Sequence, residues 1–262
     1  MLTTRFVHGA PHWIDVGAPD VDGAGAFYGG LFGWQHVPGG PESGGHGFFR
    51  LDGLTVAGST RTTPGQGPPS WTVYFRSSDA DATAAAVRQA HGSVLLEPTT
   101  VTDRGRTAVL GDRAGASFGI WQPDRDKGLD LVRAPGSLRW LELYTPDIAA
   151  AAGFYHKVLG WETSSVTFPG GFHTCVNPAG EGEEAMFGGL APQDEDPSES
   201  AGAPYWLVHI EVEDTDEVTA RAQRLGGTLR TAPADVPYVG RVAVLTDPYG
   251  ARFAVITSAP RG

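Results

Sequence analysis

The sequence predicts an α+β chain of four βαβββ units, paired into two similar domains whose curled mixed sheets enclose clefts. Three observations predict it. The phrase Phe27-Tyr-Gly-Gly-Leu-Phe-Gly-Trp34 returns 127 residues later as Phe154-Tyr-His-Lys-Val-Leu-Gly-Trp161. A second set of landmarks recurs at a spacing of 135, joining Trp71 to Trp206, Gly92 to Gly227 and Asp112 to Asp247. Within each unit the hydrophobic pattern also passes from alternation to helical spacing and back in the same order.

The first unit opens at Pro11 with a strand, His12 to Val16, and a helix from Val21 to Phe32. Ala24, Phe27, Tyr28, Leu31 and Phe32 share one helical face. Asp20 stands at the N-cap, where a carboxylate accepts unpaired amide protons, and Gly33 at the left-handed position that ends the helix. Short extended pieces follow around Gln35 to Val37, Gly47 to Leu51 and Leu54 to Ser59, with Gly- and Pro-rich loops at Pro38 to Gly45 and Thr62 to Ser70. The second unit reads strand Trp71 to Arg76, helix Asp79 to Ala90 ended by Gly92, then strands near Val94 to Leu96, Thr107 to Leu110 and Phe118 to Trp121. The third, Leu138 to Pro192, repeats the first with Asp147 and Gly160 at its helix ends, and the fourth, Tyr205 to Ser258, repeats the second. Domains are therefore expected at 1–124 and 137–262, joined by a charged, proline-bounded linker at 125–136. The acidic stretch Gln193 to Gly202 reads as a solvated loop, with a lid over a cleft as the alternative.

A formal net charge of -11 argues against a nucleic-acid partner or an anionic membrane surface, since the long-range field repels both. No stretch approaches the roughly 18 consecutive apolar residues of a membrane span. Cys175 is the single cysteine, so no internal disulfide can form, and the first residues lack a signal-peptide pattern. The expectation is a cytoplasmic monomer or homodimer with a neutral, cationic or apolar small-molecule ligand.

Alternation sorts the strand residues by face. Ile14 and Val16 face the first helix, and Leu141 and Leu143 the third, leaving Trp13, Asp15, Trp140, Glu142 and Tyr144 on the opposite faces. In the second and fourth units the opposite faces carry Thr72 and Tyr74, and Leu207, His209 and Glu211. Aromatic rings and charges sharing a face suit a cavity better than open solvent.

With its βαβββ quadruplication, an Asp seven residues before Phe-Tyr, Gly-Trp after the helix, and the late turns Gly111-Asp-Arg-Ala-Gly-Ala116 and Thr246-Asp-Pro-Tyr-Gly-Ala251, the chain resembles a tandem member of the vicinal-oxygen-chelate superfamily. That superfamily includes glyoxalase I, extradiol dioxygenases and bleomycin-resistance proteins; the chain is most similar to two-domain actinobacterial glyoxalase-like proteins. The resemblance implies two glyoxalase-like domains. It also implies where a metal would be held: by His, Gln or Glu on the first and fourth strands of one unit and the first and last strands of its partner. Those slots here hold Trp13 and Trp140, Thr72 and Leu207, and Gly119 and Ala254, while Leu54 to Gly58 and Met186 to Leu190 contain no His, Asp or Glu. None of these side chains offers a divalent cation an imidazole or carboxylate, so neither metal nor other cofactor is expected. A one-residue slip would put His12 in the slot, but with it Ile14, Val16 and the cation Arg139; the plainer reading of His12 is a strand-edge polar residue.

The candidate catalytic pair is His209 with Glu142, a histidine whose tautomer and pKa a carboxylate can set for general base work. A satisfied buried polar cluster is the competing reading, and is the better one for Glu211. Candidate ligand-binding residues are Trp13, Asp15, Thr72, Tyr74, Trp121, Trp140, Tyr144, Leu207 and Glu211. The indoles of Trp13, Trp121 and Trp140 suit a flat aromatic ligand, or simply fill space, whereas Trp71 and Trp206 read as packing. Cys175 reads as a small buried apolar residue. The leading expectation is a metal-independent binder of a small aromatic or polyketide-like molecule, in natural-product modification or sequestering resistance, with any chemistry of acid-base type. A metal-dependent lyase or dioxygenase, and a non-catalytic structural or interaction protein, remain the alternatives.

Overall fold

The computed structural model describes residues 2, 4, 7–40, 45–63, 65, 67–168, 171–195 and 202–260. The order strand, helix, three strands occurs four times. The first two units are β1 (Pro11–Ala18), α1 (Val21–Phe32), β2 (Gln35–Pro38), β3 (His46–Leu51) and β4 (Leu54–Arg61), then β5 (Ser70–Arg76), α2 (Ala80–Gln89), β6 (Ser93–Val101), β7 (Gly105–Gly111) and β8 (Ser117–Pro123). The last two are β9 (Leu138–Thr145), α3 (Ile148–Leu159), β10 (Glu162–Phe168), β11 (Gly171–Asn177) and β12 (Gly188–Pro192), then β13 (Tyr205–Glu211), α4 (Thr215–Arg224), β14 (Thr228–Val236), β15 (Gly240–Thr246) and β16 (Arg252–Ser258). They form two open eight-stranded mixed sheets, ordered β2-β3-β4-β1-β5-β8-β7-β6 and β10-β11-β12-β9-β13-β16-β15-β14. Parts of the loops read at Pro38 to Gly45 and Thr62 to Ser70, and most of the acidic stretch Gln193 to Gly202, lie outside the described residues.

Each of the four α-helices among the described residues begins on an aspartate. The side chains of Asp20, Asp79, Asp147 and Asp214 accept from the amides of Gly23, Ala82, Ala150 and Glu217 at 2.9–3.1 Å. Gly33 and Gly160 close α1 and α3 in the left-handed region, at φ 76° and 71°. The end of α2 corrects the reading of Gly92: the left-handed residue is His91, at φ 64°. Gly92 answers a close approach instead, since a Cβ there would lie 2.5 Å from the Gly111 carbonyl oxygen. β6 and β14 also run longer than the alternation suggested, past Pro98 and Pro233. Both are terminal strands of their sheets, where a missing amide proton costs no ladder bond.

Strand pairing follows chain order, unit one with two and three with four, but side-chain packing does not. One compact unit comprises Met1–Trp13, Val73–Gly128 and Trp140–Trp206; the other comprises Ile14–Thr72, Leu129–Arg139 and Leu207–Gly262. In the first, α2 packs on α3; in the second, α1 packs on α4. The recurring phrase supplies the core of each. In the first unit the Trp206 indole donates to the Tyr155 hydroxyl at 3.1 Å, and that hydroxyl donates to Asp112 Oδ2 at 3.3 Å. Asp112 Oδ1 accepts from the amides of Ala114, Gly115 and Ala116 at 2.8–2.9 Å, so the carboxylate ties the β7–β8 turn to the helix. The second unit repeats the arrangement with Trp71, Tyr28 and Asp247. Burial raises both aspartate pKa values, opposed by these bonds, and pushes both tyrosines well above the ordinary phenol range. The other tryptophan of each phrase serves backbone: Trp161 Nε1 donates to the Gly9 carbonyl at 2.7 Å, and Trp34 Nε1 to that of Gly136 at 2.8 Å. Trp71 and Trp206, read as packing, are 6% and 4% exposed.

His12 is not the strand-edge polar residue of the plainer reading. β1 lies between β4 and β5, inside its sheet, and His12 is 1% exposed. Residues 125–136 are likewise tied down: Asp130 and Thr55 exchange two hydrogen bonds, at 2.8 and 2.9 Å.

Candidate functional site

Three candidate residues of the third unit lie two apart on β9. Trp140 and Tyr144 are half-buried and Glu142 is 7% exposed, while Leu141 and Leu143, which alternate with them, are fully buried. The Trp140 indole donates to Glu142 Oε2 at 2.9 Å. The other oxygen, Oε1, lies 3.2 Å from His173 Nε2, on β11. That spacing is a close contact and not a formed hydrogen bond: Oε1 is buried with no hydrogen-bond partner among the described residues. Register brings β11 and β9 together through β12, with Glu142 opposite Gly189 and Gly189 opposite Cys175. Cys175 is 5% exposed, as a small apolar residue would be. Tyr144 stacks on Tyr205 of β13, ring centroids 5.1 Å apart and planes 17° apart. The result is a histidine beside a buried carboxylate, 31% exposed at its side chain, on a strand face that also carries an indole and a pair of parallel phenol rings.

Gly189 makes the pair possible. A Cβ there would lie 2.1 Å from His173 Nε2 and 2.7 Å from Glu142 Oε1. Both obstructing atoms end side chains, so Gly189→Ala is expected to push the pair apart at a cost of about 1–3 kcal/mol of stability. A shift of the His173 ring resonances in the NMR spectrum, with the loss of stability read by denaturant unfolding, is the expected result. Ring resonances unmoved by the substitution would show that the pair does not depend on the glycine.

The remaining sequence candidates are placed as follows. His209 is 9% exposed on β13, opposite Ala254 of β16, and belongs to the other compact unit from Glu142. Leu207 is fully buried. Glu211 is engaged on both oxygens: Ser258 Oγ and Arg139 Nε lie 2.6 and 2.9 Å from Oε2, and the Ser258 amide donates to Oε1 at 3.0 Å. Asp15 is 7% exposed and accepts from Thr60 Oγ1 at 2.7 Å. Trp13, Thr72 and Trp121 are half-buried, and Trp121 Nε1 is buried without a hydrogen-bond partner among the described residues. Tyr74 lies over Gly119, where a Cβ would meet its Cδ1 at 2.1 Å.

That last contact bears on a metal. The tyrosine ring fills the place of a side chain at 119, and the other ligand slots hold indoles, a threonine and aliphatic groups. This donor set does not fit a divalent cation. Among the described residues no three of His, Cys, Asp and Glu are grouped to share one. A hollow of about 230 Å³ does exist in the first compact unit, lined by Asp112, Arg113, Thr145, Asp147, Ala150 and Phe154 among others. It is smaller than the roughly 300 Å³ at which ligand pockets begin. In the second unit Tyr249 stands where this one has Ala114, its hydroxyl donating to Asp20 at 3.1 Å, so the hollow is a packing difference rather than a site.

Sequence reasoning missed His173 and Tyr205. The signal for the first was present: Asp15 and Glu142 are 127 residues apart, and so are His46 and His173.

The model of the Glyoxalase/Bleomycin resistance protein/Dioxygenase superfamily matches residues 10–120 and 137–255. The chain is 38% identical over 268 residues to the anthracycline biosynthesis protein DauV of Streptomyces sp. (strain C5), covering 97% of this chain and 94% of DauV. It is 37% identical over 268 residues to CFP32 of Mycobacterium bovis, a proposed glyoxylase by name, covering 98% of each. Among solved structures, the Mn(II)-bound glyoxalase from Novosphingobium aromaticivorans matches with a TM-score of 0.62 at 20% identity, over 95% of this chain and 83% of that one. At that identity the likeness speaks for the fold alone. No helix among the described residues is long and apolar enough to cross a membrane.

Proposed function

The chain belongs to the glyoxalase/bleomycin resistance protein/dioxygenase superfamily, and on that premise we propose that it binds a small hydroxylated aromatic or polyketide-like molecule without a metal ion, in natural-product modification or sequestering resistance. The observation that carries the reading is the Glu142–His173 pair, oriented by Trp140 and seated over Gly189. His173 takes the place beside Glu142 that the sequence reading gave to His209. Its imidazole accepts the proton of a weakly acidic aromatic hydroxyl, the ligand becomes its phenolate, and Glu142, 3.2 Å away, stabilises the imidazolium that forms. Trp140 and the stacked pair of Tyr144 and Tyr205 supply flat faces for the ring. The name of the relative DauV supports an anthracycline-type polyketide as the ligand class. The relative CFP32 favours a second reading, glyoxalase chemistry, and against it stand the side chains at the ligand slots.

Titrating chelator-treated protein with 1,8-dihydroxyanthraquinone separates the two. The expected result is quenching of indole fluorescence together with the red-shifted visible band of the bound phenolate. In His173→Gln or Glu142→Gln the quenching should persist while the band falls at least tenfold. Binding that appears only after stoichiometric divalent metal is added would overturn the metal-free reading. A band unchanged in both variants would overturn the assignment of the pair.

A further inference from the structure

The repeat that aligns Asp15 with Glu142 also aligns His46 with His173. In the third unit the carboxylate reaches the imidazole directly, at 3.2 Å. The acid of the first unit is one methylene shorter, and a hydroxyl spans the difference. Thr60 Oγ1 lies 2.7 Å from Asp15 Oδ1 and 2.9 Å from His46 Nδ1. At the register position of Thr60, opposite the residue two beyond the acid, β12 has Ala191. The long acid is thus matched with a methyl and the short one with a hydroxyl, so the acid-to-histidine link is kept by two different means.

Counting protons fixes the direction of the relay. Thr60 has one hydroxyl proton and donates it to Asp15, so the bond to His46 requires Nδ1 to donate. The neutral ring then carries its lone pair on Nε2. The chain of bonds runs outward from a buried carboxylate, 7% exposed, to an exposed imidazole. On the same sheet face Phe48 and Asp15 stand on either side of Gly58, which places no side chain between them. Phe48 is half-buried and offers a ring face beside the relay.

We propose that Asp15, Thr60 and His46 form a second proton-transfer site in the first domain, taking the same class of hydroxylated aromatic ligand; this rests on the reading of Glu142 and His173 as an acid-base pair. The ligand stacks on Phe48, its hydroxyl proton passes to His46 Nε2, and the phenolate stays paired with the imidazolium that Asp15 supports through Thr60.

The test is the amplitude of the phenolate band at saturating 1,8-dihydroxyanthraquinone, with thermal unfolding of each variant as the control for folding. Wild-type protein should yield two equivalents, His46→Gln and His173→Gln one each, and the double variant none. Thr60→Val keeps the shape of the side chain but breaks the relay. It should remove most of the first-domain equivalent and convert His46 to the Nε2–H tautomer in 15N NMR spectra. One equivalent, lost in His173→Gln and untouched by His46→Gln and Thr60→Val, would overturn this inference and leave the first pair standing. One equivalent lost only in His46→Gln would uphold this site and overturn the other. No band in the wild type would overturn both.

Discussion

Asp112→Ala is expected to lower the free energy of unfolding by about 3–5 kcal/mol, among the larger costs of a single substitution. The carboxylate accepts three turn amides and the Tyr155 hydroxyl, which in turn accepts the Trp206 indole. Alanine leaves those donors inside the protein with nothing to accept them, at about 1–3 kcal/mol for each group that water cannot reach. Asp112→Asn is the discriminating companion. Its carbonyl oxygen still accepts the turn amides, and burial already disfavours the charge it removes, as the raised pKa of Asp112 shows. The asparagine variant should therefore cost only about 1–2 kcal/mol. Denaturant unfolding of both variants reads the difference. Equal losses would mean that charge, rather than hydrogen bonding, secures the turn. Asp247 holds the equivalent turn in the second compact unit and should show the same ordering.

Acidification is expected to destabilise the protein through His12, by about 3 kcal/mol between neutral pH and pH 4. Burial, followed by the nearby Arg76 charge, lowers the pKa of this histidine from 6.5 to about 4. The sign follows from which state takes up the proton more readily. Below pH 6.5 the unfolded chain binds it and the folded chain does not, so the contribution is complete above pH 6.5 and is lost as the pH falls toward 4. Asp112 and Asp247 act oppositely: their raised folded pKa values make the native state the better proton acceptor, so each contributes stability as the pH falls. Comparing wild type with His12→Gln isolates the histidine from these. The variant should lose most of the wild-type slope of unfolding free energy between pH 6.5 and 4. Parallel slopes would assign the acid sensitivity elsewhere.

The catalytic candidates show where sequence reasoning stopped. Alternation put Glu142 and Trp140 on one strand face, and in the structure the indole donates to the carboxylate. It also offered His209 as partner, because a histidine two strands away in a repeat scheme has no visible register. His173 was not among the candidates. Its contact with Glu142 depends on β12 lying between β11 and β9 and on a glycine at 189 leaving room for both side chains. Pairing across three strands is not encoded in any one of them. The repeat spacing could have supplied it, since an acid and a histidine return together at the same interval.

By itself the sequence determined the four βαβββ units and the aspartate caps and glycine stops of α1 and α3. These follow from local preferences and from periodicity, which residues a few positions apart express without help from the rest of the chain. Only the tertiary structure decided that unit two packs with three and unit one with four, and that Glu142 meets His173. It also decided that His12 is buried, because β1 has a neighbour on each side. Those outcomes turn on which helices share a core and on how strands are aligned, and both are settled by burial and hydrogen bonding between segments more than a hundred residues apart as much as by those nearby.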